Sequence, residues 1–170
     1  MADSAVDYEY LQIESFAFWD LYLHGNQYYL GRTYVLSKRQ EQFDMFEIEE
    51  REYAELRAIV SAVKDVLREA FAPDLFNYAS LGNVFHRLHL HIIPRYKTER
   101  VFSNTVFVDK NWGSNYAPYD KDFRVGVDVY DSLKVEFKKI ESEKIDLCSF
   151  LSQKQDNREG IVKSKKDLRS

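Results

Sequence analysis

Apolar residues recur at three- and four-residue steps between Glu47 and Phe71, where EIEEREYAELRAIVSAVKDVLREAF holds no glycine or proline and is built from good helix formers. Tyr53, Leu56, Ile59 or Val60, Val63, Leu67 and Ala70 make one apolar stripe, which predicts a long helix with a single buried face. Glutamates crowd its first turn, Arg68 lies in its last and Pro73 closes it, the order that a helix dipole favours. On either side the pattern changes. Residues 10–24 (YLQIESFAFWDLYLH) are rich in aromatic and branched side chains and predict one or two strands. GNQYYLGR follows, with Gly25-Asn26 and Gly31 as turn signals, and TYVLSK (33–38) predicts the next strand. After the helix, LFNYASLG and RLHLHIIPRY predict two more strands around Gly82-Asn83. Strands before and after one long helix predict an α+β fold with that helix across a face of the sheet. Residues 97–120, with Trp112-Gly113, Asn115 and Pro118, read as an irregular ordered segment, and FRVGVDVYD (123–131) as a short strand.

The last fifty residues differ. Leu133, Phe137, Ile140, Lys144, Leu147 and Leu151 step 4-3-4-3-4, an amphipathic seam interrupted by Lys144. Its simpler reading is a helix packed on the domain; its sharper one is a dimerisation helix, and two heptads are too few to decide. Beyond Ser152 the chain is polar and lysine-rich and reads as a flexible tail. The expected organisation is a domain over 8–120, an extension with an amphipathic helix over 121–152 and a tail over 153–170.

Composition narrows the function more than the fold. A net charge of −4 and a pI near 5.6 argue against nucleic acid as a partner, because no excess positive field attracts phosphate backbones. A small anionic ligand held by a few local cations is compatible with the same numbers. The single cysteine, Cys148, excludes an intramolecular disulfide and fits a reducing compartment. The acidic N-terminus lacks an apolar leader core, and no run approaches the ~18 apolar residues of a membrane span. A soluble, cytoplasmic protein with no membrane partner is expected.

Three of the four histidines fall in LGNVFHRLHLHIIPRY, residues 81–96. With residues 85–94 as a strand, alternate side chains face opposite ways. Arg87, His89 and His91 then share one face, continued by Ile93. His86, Leu88, Leu90 and Ile92 share the other, which should pack into the core under the long helix. Two imidazoles at i, i+2 could bind a metal, but a stable zinc site needs at least a third protein ligand and the adjacent arginine repels a cation. Two histidines on a wet strand face with no chemical task are the plain alternative. The third use is nucleophilic and electrostatic. A neutral imidazole, with a reference pKa of about 6.5, can attack phosphorus while a second histidine and a cation hold the phosphoryl oxygens.

NYASLGNVFHRLHLHIIPRY resembles the signature of the histidine-triad (HIT) family, His-φ-His-φ-His-φ-φ with φ apolar. It is most similar to the dinucleoside-polyphosphate-hydrolase-like subgroup, whose motif runs on into Pro-Arg-Tyr. NQYYLGRTYVLSKR, the glutamate-led helix and NYASLGN stand in the family's order, so the resemblance covers roughly residues 10–119. It implies a HIT-like antiparallel sheet of about five strands with the long helix across it, 8–120 as a nucleotide-binding domain, and a homodimer. It also implies a hydrolase or transferase acting at the α-phosphate of a small-molecule nucleotide, such as a dinucleoside polyphosphate or a nucleoside phosphoramidate. In the family the middle histidine is transiently nucleotidylated before water releases the nucleoside monophosphate. Aligned through HLHIIPR, that residue is His89, and the third histidine is His91. No cofactor and no metal are called for.

The sequence departs from the pattern at two places. Arg87 occupies the first histidine position, and Arg32 follows Gly31 where the family has another histidine. Arginine holds phosphate oxygens bidentately and stays charged, but it cannot act as an acid or base near neutral pH, and it lowers the pKa of neighbouring imidazoles. In the family the backbone carbonyl of the first position orients the other ring nitrogen of the nucleophile, a role that Arg87 can fill without its side chain. Asn77 and Asn83 match amide positions directed toward ribose and phosphates, although Asn83 equally fits turn chemistry beside Gly82. His24 lies near the position that lines the nucleoside pocket, its plainer reading being a surface histidine at a strand end. Arg95 and Tyr96 belong to the subgroup signature without a role legible in the sequence. The expectation is thus an enzyme with His89 as nucleophile, His91 beside it, and Arg87, Arg32, Asn77, Asn83 and His24 holding substrate. The rivals are a nucleotide-binding module that has lost turnover through Arg87 and Arg32, and an interaction protein acting through the 133–151 helix.

Overall fold

In the computed structural model, residues 8–41, 44–83 and 85–141 are described. A single helical turn, α1 (Tyr8–Leu11), leads into a five-stranded antiparallel sheet. Its strands are β1 (Gln12–Ser15), β2 (Trp19–Leu23), β3 (Thr33–Ser37), β4 (Leu75–Ala79) and β5 (His89–Arg95), in the order β1-β2-β3-β5-β4. The long helix α2 (Glu50–Phe71) connects β3 to β4 and covers one face. Its Leu56, Ile59, Val63, Val66, Leu67 and Phe71 join Trp19, Leu21, Leu23, Val35 and Ile92 in the main core.

The helix begins three residues later than its pattern predicts, because residues 45–47 form a 3-10 turn and Glu49 with Glu52 makes a capping box at the true start. Tyr53 is half-exposed, so the apolar stripe does not include it. Glu52 and Glu55 are buried instead. The Glu55 carboxylate accepts the backbone N–H groups of Ala17, Phe18 and Trp19 at 3.0, 2.6 and 3.2 Å, and the Trp19 indole donates to the Glu52 carbonyl at 2.9 Å. A helix carboxylate therefore satisfies the β1–β2 turn, whose donors run from the exposed Ala17 to the buried Trp19.

Two further elements correct the sequence reading. Residues 97–120 are not wholly irregular: β6 (Arg100–Phe102) and β7 (Thr105–Phe107) form a hairpin with Ser103 and Asn104, both at positive φ, in its turn. FRVGVDVYD is not a strand. Gly126 starts helix α3 (Val127–Phe137), and Val129, Leu133 and Phe137, with Ile140 just beyond, are buried in the same core as α2. The predicted helix positions Lys144, Leu147 and Leu151, and the tail over 153–170, lie outside the described residues. No helix among the described residues is long and apolar enough to cross a membrane.

The face of the sheet away from α2 is partly roofed by residues 109–123. Arg95, 2 % exposed, anchors this strap. It donates through Nε and Nη2 to Asp109 at 2.6 and 3.1 Å, through Nη2 to the Asn111 carbonyl at 2.6 Å and through Nη1 to Asn77 Oδ1 at 2.6 Å. Asn111 in turn donates to the Pro118 carbonyl at 2.8 Å, and Tyr116, Tyr119 and Phe123 pack on Tyr28, Tyr29 and Ile93. Tyr96 donates its hydroxyl to the Leu30 carbonyl at 2.8 Å. The Pro-Arg-Tyr run is therefore structural: it ties the strap and the β2–β3 connection to the sheet.

Candidate active site

Strand register sets the site. Tyr22 pairs with Tyr34, Tyr34 with His91 and His91 with Ala79, so these residues form one row across the face away from α2. Leu36 pairs with His89 in the next row. The strand starts at His89 rather than 85, which leaves His86 exposed in the preceding loop and not on the core face. Leu88 and Ile92 do enter the core, as the alternation predicts.

His89 Nδ1 lies 2.7 Å from the Arg87 carbonyl oxygen. A carbonyl only accepts, so the Nδ1 proton is fixed there and the lone pair stands on Nε2. The His91 ring lies edge-on to His89, with centroids 5.0 Å apart, and His24 is 5.4 Å from His91 on its other side. His24 is thus a member of the cluster, not a surface residue at a strand end. Tyr34 flanks both at 5.8 and 6.3 Å, and Tyr22 stacks on Tyr34 at 5.1 Å.

Arg32 enters the cluster from behind. Gly31 precedes it at φ +80°, and a Cβ there would lie 2.4 Å from Leu67 Cδ2 on α2. Only glycine lets the chain press so closely on the helix and then turn Arg32 into the sheet. Gln27, almost fully buried, completes the connection: its amide donates to the His24 and Arg32 carbonyls at 2.7 and 2.9 Å and accepts from Gly31 N–H at 3.0 Å. Sequence reasoning missed this residue; its position inside the NQYYLGR turn was the available signal.

The electrostatics are unusual for a ligand-free interior. Arg32 is 2 % exposed, and neither Nε nor Nη1 has a hydrogen-bond partner. Among the described residues it has no carboxylate partner; its guanidinium carbon lies 4.7 Å from the Tyr119 ring centroid and 5.8 Å from that of Tyr116. Burial, and then the Arg32 charge, push His91 down to about 2 and His24 down to about 4, so both imidazoles are neutral at neutral pH. His91 Nδ1 is also buried without a partner. A buried cation with free donors, beside two neutral imidazoles, is an arrangement that an anion completes.

The remaining expected site residues are placed differently. The Arg87 guanidinium reaches across the sheet to donate through Nη2 to the Ser37 carbonyl, leaving Nε buried and free. Asn77 shares the histidine face, but its Oδ1 is occupied by Arg95. Asn83 is exposed in the β4–β5 loop. The fold therefore brings together His24, Arg32, His89 and His91, with Arg87 contributing its carbonyl at the edge, and does not bring Asn77 or Asn83 into that cluster by any hydrogen bond among the described residues.

The fold is shared with known proteins. Residues 30–98 match the family model described as the HIT domain. No curated protein matches the sequence significantly. Among solved structures, a histidine triad protein from Sinorhizobium meliloti superposes with a TM-score of 0.63 at 18% identity, over 76% of this chain and 87% of the other. One from Bradyrhizobium japonicum gives 0.58 at 19% identity over 75% and 87%. A hypothetical histidine triad nucleotide-binding protein from Sulfolobus tokodaii gives 0.55 at 19% identity over 76% and 81%. The chain thus has the fold of the histidine triad proteins, and its residues 30–98 are similar to the HIT domain.

Proposed function

We propose that this protein is a nucleotide hydrolase or nucleotidyl transferase that cleaves its substrate at the α-phosphate through a nucleotidyl-His89 intermediate. The observation that carries this reading is the His89 Nδ1 to Arg87 carbonyl hydrogen bond, which presents Nε2 as a lone pair next to His91. His89 Nε2 attacks the α-phosphorus, and the bond from phosphorus to the bridging atom breaks with its electron pair going to the leaving group. Water then attacks the same phosphorus, the P–N bond returns its pair to Nε2, and the water proton leaves to solvent. Arg32 and a neutral His91 donate to the phosphoryl oxygens as charge grows on them. Removing one such donor typically lowers the rate about 10²- to 10³-fold. The Arg-for-His exchange at position 87 spares the step that depends on its backbone.

Intact-mass spectrometry after mixing the protein with substoichiometric diadenosine tetraphosphate tests the mechanism. A nucleotidyl adduct is expected in the parent protein and none in His89→Ala, which should also release no AMP. Turnover by His89→Ala equal to the parent would end this mechanism. A second reading, a nucleotide-binding module, is favoured by Arg32 and Arg87, two fixed cations where the family resemblance expects proton-transferring histidines. That reading expects a thermal shift with AMP, no adduct, and activity created by Arg32→His with Arg87→His.

A further inference from the structure

Arg32 holds two free donors that solvent cannot reach. The residue is 2 % exposed, and its Nε and Nη1 are buried without partners. Strand register closes its flanks. On one side the His24 backbone N–H donates to the Arg32 carbonyl at 2.9 Å, and on the other the pairing of Thr33 with Ile92 sets the buried Ile93 beside it. The Tyr119 ring centroid lies 4.7 Å from the guanidinium carbon and that of Tyr116 5.8 Å. We propose that Tyr119 is a movable cover, that an anion reaches Nε and Nη1 only when residues 117–122 lift, and that Asn26 is the latch holding them down. The proposal rests on the reading of Arg32 as a phosphate-holding group and adds a conformational step to it.

The two rings are not held alike. Tyr116 is fixed through its backbone, whose carbonyl accepts from the Tyr29 hydroxyl at 2.6 Å and from Asn111 Nδ2 at 3.2 Å. The segment before it is tied by charge: Arg95 and Asp109 are buried together, and Arg95 also donates to the Asn111 and Ser114 carbonyls at 2.6 and 3.2 Å. Beyond the cover, Phe123 packs on Phe107 and Tyr28 at 5.9 and 5.7 Å. Within 117–122 every residue is exposed except the half-buried Tyr119. Two neutral amides hold this stretch. Asn111 Nδ2 donates to the Pro118 carbonyl at 2.8 Å, and Asn26 Nδ2 lies 3.0 and 3.2 Å from the Asp120 and Lys121 carbonyls. Neutral bonds are about half as strong as charge-assisted ones, so this stretch gives way before the Arg95 end does.

Asn26 is placed to act as a latch because it belongs to the sheet side. Its Oδ1 accepts the Tyr28 N–H at 2.9 Å, which orients the amide, and its backbone N–H lies 3.0 Å from His24 Nδ1. The closed cover gives the guanidinium ring faces in place of oxygens. An incoming phosphate replaces them with charge-assisted bonds to Nε and Nη1, and a pair of these outweighs the cation–π contact it displaces. The empty site therefore stays closed and the ligand drives its opening.

Modification of the folded full chain by phenylglyoxal, followed arginine by arginine through peptide mass mapping, tests the cover without a ligand. In the parent, Arg32 should react far more slowly than the exposed Arg51. Asn26→Ala and Tyr119→Leu should each speed Arg32 about tenfold, the weight of one to two neutral hydrogen bonds or of one cation–π contact, and leave the equally buried Arg95 slow. Tyr119→Phe, which keeps the ring, should match the parent. Calorimetry with AMP is the second arm: Kd should fall about 3- to 30-fold in Tyr119→Leu, since binding no longer breaks the ring contact. Arg32 that stays slow in both variants overturns the proposal, and so does Arg32 that reacts as fast as Arg51 in the parent. Arg32 and Arg95 speeding together also overturns it, because the domain as a whole would be loosening. An AMP Kd that is unchanged or higher in Tyr119→Leu overturns it too, since the ring would not be what binding displaces. If AMP binds neither the parent nor Tyr119→Leu, the reading of Arg32 as a phosphate-holding group has failed, while the modification rates still judge the cover.

Discussion

Replacing Arg32 with methionine should make the ligand-free protein more stable while destroying its ability to hold an anion. The guanidinium is buried, two of its nitrogens donate to nothing, and no carboxylate among the described residues pairs with it. A buried donor left unsatisfied costs about 1–3 kcal/mol, so two cost roughly 2–6 kcal/mol. The Tyr119 and Tyr116 rings over the charge return about 2 kcal/mol at a desolvated site. The difference is centred near 2 kcal/mol in favour of methionine, whose unbranched stem follows the path of the arginine methylenes. For a chain of this size that corresponds to a rise in Tm of about 4–8 °C. The assay is thermal unfolding in a phosphate-free buffer, repeated with AMP. At 100 times its Kd, AMP should add about 2.7 kcal/mol to the parent and nothing to Arg32→Met. NMR titration supplies an independent readout, since His24 and His91 should both titrate at higher pH once the neighbouring charge is gone. A Tm lowered by several degrees in ligand-free Arg32→Met would refute the reasoning, because the guanidinium would then be contributing structure rather than awaiting a ligand.

Gly31→Ala should destabilise the protein by about 2–5 kcal/mol in urea titrations. The left-handed backbone contributes ~1–2 kcal/mol of that and overlap with the fully buried Leu67 the rest; a loss below ~1 kcal/mol would show that the loop can move off α2. Arg95→Ala leaves Asp109 buried without its cation and should cost about 3–5 kcal/mol, read by chemical denaturation. It should also free the strap to cleavage between residues 109 and 119 in limited proteolysis. Stability should fall as the pH drops from 7 to 5. His24 and His91 have folded pKa values depressed to about 4 and about 2, so below ~6.5 the unfolded chain binds protons that the folded one refuses. The loss amounts to about 2 kcal/mol per histidine by pH 5 and, for His24, ends near pH 4. Urea titrations of the parent and of His24→Gln with His91→Gln separate this from carboxylate effects, and equal slopes for the two would contradict it.

What the sequence could show depended on how local each determinant is. The long helix is legible because its 3.6-residue period is sustained across its buried face, and the sheet face because a strand alternates. Glu52 and Glu55 read as dipole-favouring surface charges, since the N–H groups that Glu55 accepts lie 36 to 38 residues earlier. Val125, Val127 and Val129 alternate like a strand, and only the core shows that Val129 belongs with Leu133 and Phe137, whose helical step was legible in the sequence. The β6–β7 turn uses Ser103-Asn104 rather than a glycine pair, so it carried no signal. At the site, the Arg87 carbonyl is a short-range feature and was readable through the motif. The contact of His24 with His91 and the bond of Asn77 to Arg95 cross strands; the resemblance placed His24 near the site, but neither contact is legible in the sequence.

The two arginines have opposite consequences for the chemistry proposed here. At position 87 the motif needs a carbonyl two residues before His89, and the backbone supplies that whatever the side chain is; the guanidinium is diverted to Ser37. At position 32 the side chain is the point. Gly31 and Gln27 hold it where it can neither reach solvent nor meet a carboxylate, and its field helps keep His24 and His91 deprotonated. A histidine at the same place could share protons with its neighbours, whereas arginine can only attract an anion. Catalysis built on this site therefore draws on charge stabilisation at phosphorus and on the departure of a group that needs no proton.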